Sequence, residues 1–361
     1  MLHAKTKHVF PGGNTSQGFF SYYDYILSQE KAVRIFIIKG GPGVGKSTFL
    51  KKAGNQFAAY GYEVEFLHCS SDSDSLDGIM VPELKISIID GTAPHIVEPK
   101  NPGAVDTIIN FADFWDEDII RQNKQEIMID TAQVKMWFES AYRYLKAASL
   151  IYEDSCRIFS LAIDNVKVNR ISNRLIEEFF KDKPSSDNMG NDRRLFASAI
   201  TPTGLKNYID TVLVSQQIIG INQFDAIGAN NILEKIKNAA IEKGYDVESY
   251  YCALRPCTLE HLVIPGINVS LTTVNRYHKP NVAFSSIIDL NEYINKDLIQ
   301  PYVDSLEYNK IEFDKLLNQA INMLSKAKNV HDRLETYYTS SVDFKKLDMF
   351  CDVIINKILN R

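Results

Sequence analysis

Twice along this chain, short apolar runs give way to long stretches of helical period. Arg34-Ile35-Phe36-Ile37-Ile38 is rich in β-branched residues and apolar at successive positions, which predicts a parallel strand covered on both faces. Lys85 to Ile89 reads the same way, and Val64 to His68 predicts a further strand. Thr131 to Ile163 instead carries its apolar residues at helical spacing with no internal Pro or Gly, and Ile311 to Leu334 mirrors it. The predicted order in each half is loop, helix, strand, glycine-rich turn, helix, strand, loop, strand and a long helical region. The fold class is therefore α/β, with two modules that each hold a small, mostly parallel sheet, flanking helices and a helical appendage.

The halves also match residue by residue. Gly61-Tyr62-Glu63-Val64-Glu65 returns as Gly244-Tyr245-Asp246-Val247-Glu248, and this offset of 183 also aligns Cys69 with Cys252, Pro82 with Pro265 and His95 with His278. Upstream an offset of 186 pairs Phe10 with Phe196, Thr15 with Thr201 and Gly18 with Gly204; downstream one near 179 pairs Ala141 with Ala320. Such self-similarity indicates an internal duplication. Lys181 to Gly190 is dense in turn formers and marks a linker, so the expected modules are 1–188 and 189–361.

Composition narrows the functional classes. A chain of 361 residues with 45% hydrophobic content can bury two ordinary cores. A formal charge of -5 argues against a sequence-independent nucleic-acid binder, which needs a concentrated basic surface. No apolar run approaches the roughly 20 residues of a membrane span, and Met1 to Gly13 has no apolar core of signal-peptide length. Five cysteines without a close CxxC pair fit reduced thiols. Together these predict a cytoplasmic protein.

The chemistry concentrates after the first strand. Gly40-Gly41-Pro42-Gly43-Val44-Gly45-Lys46-Ser47 has the phosphate-binding loop (Walker A) pattern in its diagnostic context, between a strand and a helix. Its glycines let backbone N–H groups curl around a phosphate, and the helix adds its N-terminal dipole. Lys46 is the expected partner of the β- and γ-phosphates, Ser47 the expected Mg²⁺ ligand, and Thr48 closes the loop. Asp90, which ends the apolar run Ile86 to Ile89, is the second expected Mg²⁺ ligand; otherwise it merely opens an Asp-Gly turn. Gly91 follows it where many motor-type ATPases carry a water-activating Glu.

In the second copy Lys46 aligns with Ala229, Ser47 with Asn230 and Asp90 with Thr273, so that copy lacks the phosphate clamp and both metal-side groups. Residues kept in both copies, His95 among them, read as structural. Asp72 and Asp74 vanish with the lysine, becoming Arg255 and Cys257, and are candidates for orienting water or an acceptor. The plainer alternative makes Ser70 to Asp77 a solvated turn capped by its own aspartates. Arg193 and Arg194 read as surface residues, with an arginine finger the alternative; Cys252 and Cys257 read as buried thiols, with a metal site the alternative.

Lys39 to Thr48, the segment His68 to Asp77, Ile89 to His95 and the run Leu195 to Pro202 resemble an uncharacterised family of bacterial tandem P-loop ATPases. The resemblance spans most of the chain and implies two P-loop modules, although the family pattern would carry a recognisable loop in the second as well. Three functions stand as expectations. The first is an ATPase using ATP and Mg²⁺ at one competent site beside a degenerate repeat; the absence of an Asn/Thr-Lys-x-Asp guanine reader favours ATP over GTP. The second is a small-molecule or nucleotide kinase. The third is an ATP-gated interaction protein that meets an unknown protein partner through its helical regions.

Overall fold

The structure is a computed structural model that describes residues 6–93, 96–223 and 228–359. The first half runs β1 (Thr6–Val9), β2 (Gly12–Thr15), β3 (Gly18–Ser21), β4 (Arg34–Lys39), α1 (Lys46–Ala59), β5 (Val64–His68), β6 (Leu76–Val81), β7 (Ile86–Asp90), β8 (Asp106–Asn110), α2 (Glu117–Gln122), α3 (Lys124–Ala162) and α4 (Asn165–Phe180). The second runs β9 (Asp192–Leu195), β10 (Ser198–Thr201), β11 (Gly204–Asn207), α5 (Ile209–Val212), β12 (Gln217–Asn222), α6 (Ala229–Glu242), β13 (Val247–Tyr251), β14 (Leu259–Ile264), β15 (Val269–Val274), β16 (Ser286–Asp289), α7 (Lys296–Ile299), α8 (Val303–Thr339) and α9 (Phe344–Leu359).

Two six-stranded, mostly parallel sheets result, flanked by helices. Their orders are β1-β5-β6-β7-β4-β8 and β9-β13-β14-β15-β12-β16, so each strand of the first sheet has a counterpart at the same place in the second. Only β6 and β14 run against their neighbours. The strands at Arg34, Val64 and Ile86 and both long helices lie where hydrophobic spacing puts them. Three segments differ from the sequence expectation. Upstream of β4 the chain forms β1 and the β2–β3 hairpin rather than a loop and helix. β6 replaces an expected loop, its pattern interrupted by Asp77 and Gly78, and β8 opens what reads as a purely helical region.

The sheets face one another. Val9, Ile35, Ile37, Leu67 and Ile89 of the first pack with Leu195, Ile218, Tyr250 and Val263 of the second. Where the halves meet, Phe10 and Phe196 exchange backbone hydrogen bonds of 2.9 and 3.0 Å. Beside them lie Lys7, Glu65, Arg193 and Glu248, two cations alternating with two carboxylates. Lys7 Nζ is 3.1 Å from Glu65 and 2.9 Å from Glu248, while Arg193 is 2.5 Å from Glu65 and 3.4 Å from Glu248. Burial alone would raise the Glu65 carboxyl, but Arg193 and Lys7 outweigh it and bring it down to about 2.

The helical appendages are exchanged. α3 and α8, of 39 and 37 residues, run antiparallel; Asp130 near the start of α3 pairs with Arg333 near the end of α8, and Asp154 meets Asn309 at the other end. At 1.5 Å per residue each is roughly 55 Å long, enough to carry the succeeding helix to the opposite sheet. Hence Val168, Ile171, Leu175 and Phe179 of α4 pack on α6 and the second sheet. Leu347, Cys351, Ile355 and Ile358 of α9 pack on α1 and the first. Matching backbone bonds pin both crossings: Asp116 N–H to Ser341 O at 2.9 Å, and Asn295 N–H to Ala162 O at 2.8 Å. All strands of the first sheet precede α4 and all strands of the second follow it, while the last helix of each half belongs to the other's core.

Candidate functional site

The glycine-rich loop joins β4 to α1, and its conformation shows why glycine is needed. Gly43 has φ +68° and Gly45 φ +88°, left-handed values that other residues resist. Gly45 is the N-cap of α1 and offers no capping side chain. The first turn of a helix leaves N–H groups without intrahelical partners, and here they belong to Lys46, Ser47 and Thr48. Buried Val44 anchors the loop in the core. The donor set therefore suits a phosphate: uncapped N–H groups, a helix N-terminus and one ammonium.

Lys46 folds over its own loop. Its Nζ donates to Gly41 O at 2.6 Å and Gly40 O at 3.2 Å, and lies 3.6 Å from Asp90 Oδ2. The structure thus brings Lys46 and Asp90 together at the ends of adjacent strands, because β7 lies directly beside β4. Asp90 Oδ1 accepts from Thr92 N at 2.9 Å and Thr92 Oγ1 at 2.5 Å, so this carboxylate also shapes the Asp-Gly turn. Ser47 Oγ accepts from Leu76 N at 3.0 Å, tying the start of α1 to β6. Asn230 makes the same bond to Leu259 N at 2.8 Å. The contact of Ser47 is therefore structural first, with one oxygen lone pair left for a cation.

Asp72 and Asp74 lie in the turn between β5 and β6. Asp72 accepts from Asp74 N at 3.3 Å and Ser75 Oγ at 2.8 Å, as the turn-capping alternative expects, and Lys328 of α8 approaches it at 3.5 Å. Asp74 is exposed. Asp77 is no solvated turn residue: it sits in β6, 4% exposed, and accepts from Tyr23 Oη at 2.7 Å. The Arg193 side chain, in the central ion cluster, is neither a surface residue nor a finger toward the loop; Arg194 pairs with Asp192 at 2.8 Å. Cys257 is exposed rather than buried, and all five cysteines stand outside any disulfide. His95, and Phe224 to Ile227 of the second loop, lie outside the described residues.

Compared with known protein families, curated proteins and solved structures, the chain matches none.

What the sequence misses is the cover of the loop, which arrives from the far end of the chain. Thr339 Oγ1 donates to Gly43 O at 3.2 Å. A Cβ on Gly41 would stand 2.9 Å from the Tyr338 ring, and one on Gly43 would stand 2.8 Å from Glu335 O. Phe344 and Leu347 flank Gly45. The signal available was the apolar spacing of Leu347, Cys351, Ile355 and Ile358, one face of a helix that needs a partner. On the second sheet Gly228, φ +97°, meets Ile163, Val168 and Leu290 in the same way. Among the described residues, no helix is long and apolar enough to cross a membrane.

Proposed function

We propose that this chain is a Mg²⁺-dependent P-loop ATPase, built from two duplicated modules of which the first is competent and the second degenerate. The carrying observation is the loop at Gly40 to Ser47, with left-handed Gly43 and Gly45 and the Lys46 ammonium 3.6 Å from Asp90. On this reading Lys46 leaves the carbonyls of Gly40 and Gly41 to meet the β- and γ-phosphates. Mg²⁺ would be held by the available lone pair of Ser47 and by Asp90, and would neutralise charge developing on the phosphates. The N–H groups of Gly41 and of Gly43 to Thr48 orient the phosphate chain. Support for duplication comes from the common strand order and from equivalent contacts at Ser47 and Asn230. Ala229 and Thr273, in place of Lys46 and Asp90, leave the second module without a phosphate clamp. The likeness to bacterial tandem P-loop ATPases and the reduced thiols fit a cytoplasmic setting.

A second reading, an ATP-gated switch, is favoured by one feature. Lys328 and Thr339 of α8 touch the Asp72 loop and Gly43 respectively, so ligand-driven movement of either loop would reach the long helix pair. Steady-state ATP turnover by wild type, Asp90→Asn and Asp72→Ala separates these readings, with and without a panel of hydroxyl-bearing metabolites. Turnover in water that Asp90→Asn removes and Asp72→Ala retains fits the ATPase. Turnover seen only with an acceptor indicates a kinase, and tight binding with negligible turnover indicates a switch.

A further inference from the structure

The second sheet carries a different cluster, at the position where the first has its acidic bulge. β13 and β14 lose register between Tyr250 and Tyr251, which pair with His261 and Leu259, so Glu260 is an extra residue in the ladder. Neighbours on a regular strand point to opposite faces, whereas a bulge re-aims a side chain. Here it lets Glu260 and His261 converge. The first sheet has the corresponding shift at Asp77, but Gly78 stands where His261 does. His278 arrives from the turn after β15, where Asn275 Oδ1 accepts from Tyr277 N at 2.8 Å and His278 N at 2.9 Å. The ligating atoms of Glu260, His261 and His278 all lie within 4.8 Å of one another.

Thr272 Oγ1 lies 2.7 Å from His261 Nδ1 and 3.2 Å from Thr273 O. With the imidazole proton on Nδ1, donated to that hydroxyl, a lone pair is left on Nε2. His261 is 1% exposed and its Nε2 has no hydrogen-bond partner. Glu260 Oε2 is likewise buried without a hydrogen bond, 3.4 Å from His278 Nε2. The ligating atoms of the three side chains thus gather about one point, with His261 Nε2 buried and without a hydrogen-bond partner.

We propose that Glu260, His261 and His278 form a binding site for a divalent transition-metal ion of the zinc class. Imidazole nitrogen and carboxylate oxygen suit such ions. Bonds of roughly 2.0–2.1 Å in a tetrahedron give ligand-to-ligand edges of about 3.4 Å, and the Glu260–His278 separation is 3.4 Å. The hydroxyl of Thr272 on the far nitrogen of His261 is the outer support that metal-bound histidines use. A cleft of about 610 Å³ including its open mouth, lined by Cys252, Glu260, His278 and Phe313, gives access and a fourth position for water or for the Cys252 thiol. The ion compensates the Glu260 carboxylate; Arg255 close by is turned to Cys156 and lies over the Tyr152 ring.

The test is calorimetric titration of ZnCl₂ into the EDTA-stripped full chain, for wild type, Glu260→Gln, His278→Asn and a His331→Asn control. Wild type and control bind one ion per chain at this site, and the two site variants weaken it on the order of 10-fold or more. Mg²⁺, which prefers oxygen ligands, does not displace it. Circular dichroism confirms that the variants are folded. Independently, Zn²⁺ moves the ¹⁵N resonance of His261 Nε2 in wild type. No Zn²⁺ binding, equal binding by both site variants, or an unmoved His261 resonance would overturn the site and leave a Glu260–His278 ion pair.

Discussion

Replacing Arg193 by Met removes one of two cations from the cluster that joins the halves, and its consequence can be worked through. Glu65 is 2% exposed and Glu248 16%, and they would then share only Lys7, leaving one net buried negative charge. Removing one partner of a buried pair costs about 3–5 kcal/mol. The Glu65 carboxyl points the same way: against its burial, Arg193 and Lys7 hold it below the ordinary value. In wild type this depressed carboxyl contributes stability that is fully present above its unfolded value of 4.5 and is lost as pH falls toward 2. In the variant, burial prevails and an orphaned carboxyl rises above its unfolded value. Its penalty is then largest near neutral pH and fades as protonation relieves it. Urea unfolding at pH 7 and pH 5 should show about 3–5 kcal/mol lost at the higher pH and a smaller gap at the lower. A loss under about 1 kcal/mol, or a gap that ignores pH, would show that Arg193 does not balance this buried charge.

Two other outcomes follow from the packing. Leu347→Ala and Leu175→Ala should each cost about 2–5 kcal/mol; hydrogen exchange should rise in β4 and α1 for the first and in β12 and α6 for the second. The converse pattern would contradict the exchange of α9 and α4 between sheets. Iodoacetamide should label exposed Cys257 in the native protein, whereas Cys351, pushed by burial up to about 12, and buried Cys69 should react only after unfolding; mass spectrometry of the adducts reads this directly.

Features set by local periodicity were legible in the sequence. Val64 to His68 is a strand, Arg34 to Lys39 ends where the glycine loop begins, and α3 and α8 extend the helices expected at Thr131 and Ile311. The loop itself is a local pattern, because its glycines are required by backbone angles at Gly43 and Gly45. β6 was hidden because its Asp77 and Gly78 read as turn formers, and partners such as the Tyr23 hydroxyl, 54 positions away, show why an acid is buried there. Arg193 was opaque for the same reason, since its partner Glu65 lies 128 positions upstream. Amphipathic spacing in α4 and α9 foretells a buried face but not which sheet covers it, so neither the exchange nor the Tyr338–Thr339 cover of the loop follows from that spacing alone. The convergence of Glu260, His261 and His278 depends on a bulge, which alternation along a strand does not reveal.

Equilibrium titration of Mg²⁺ and a fluorescent ATP analogue into wild type and Lys46→Ala probes the glycine loop itself. One saturable, Mg²⁺-dependent site per chain is expected, for which ATP competes and which Lys46→Ala weakens on the order of 10-fold or more, a charge-assisted contact worth about 1.5–3 kcal/mol. Undiminished binding by Lys46→Ala, or two equivalent sites per chain, would contradict it.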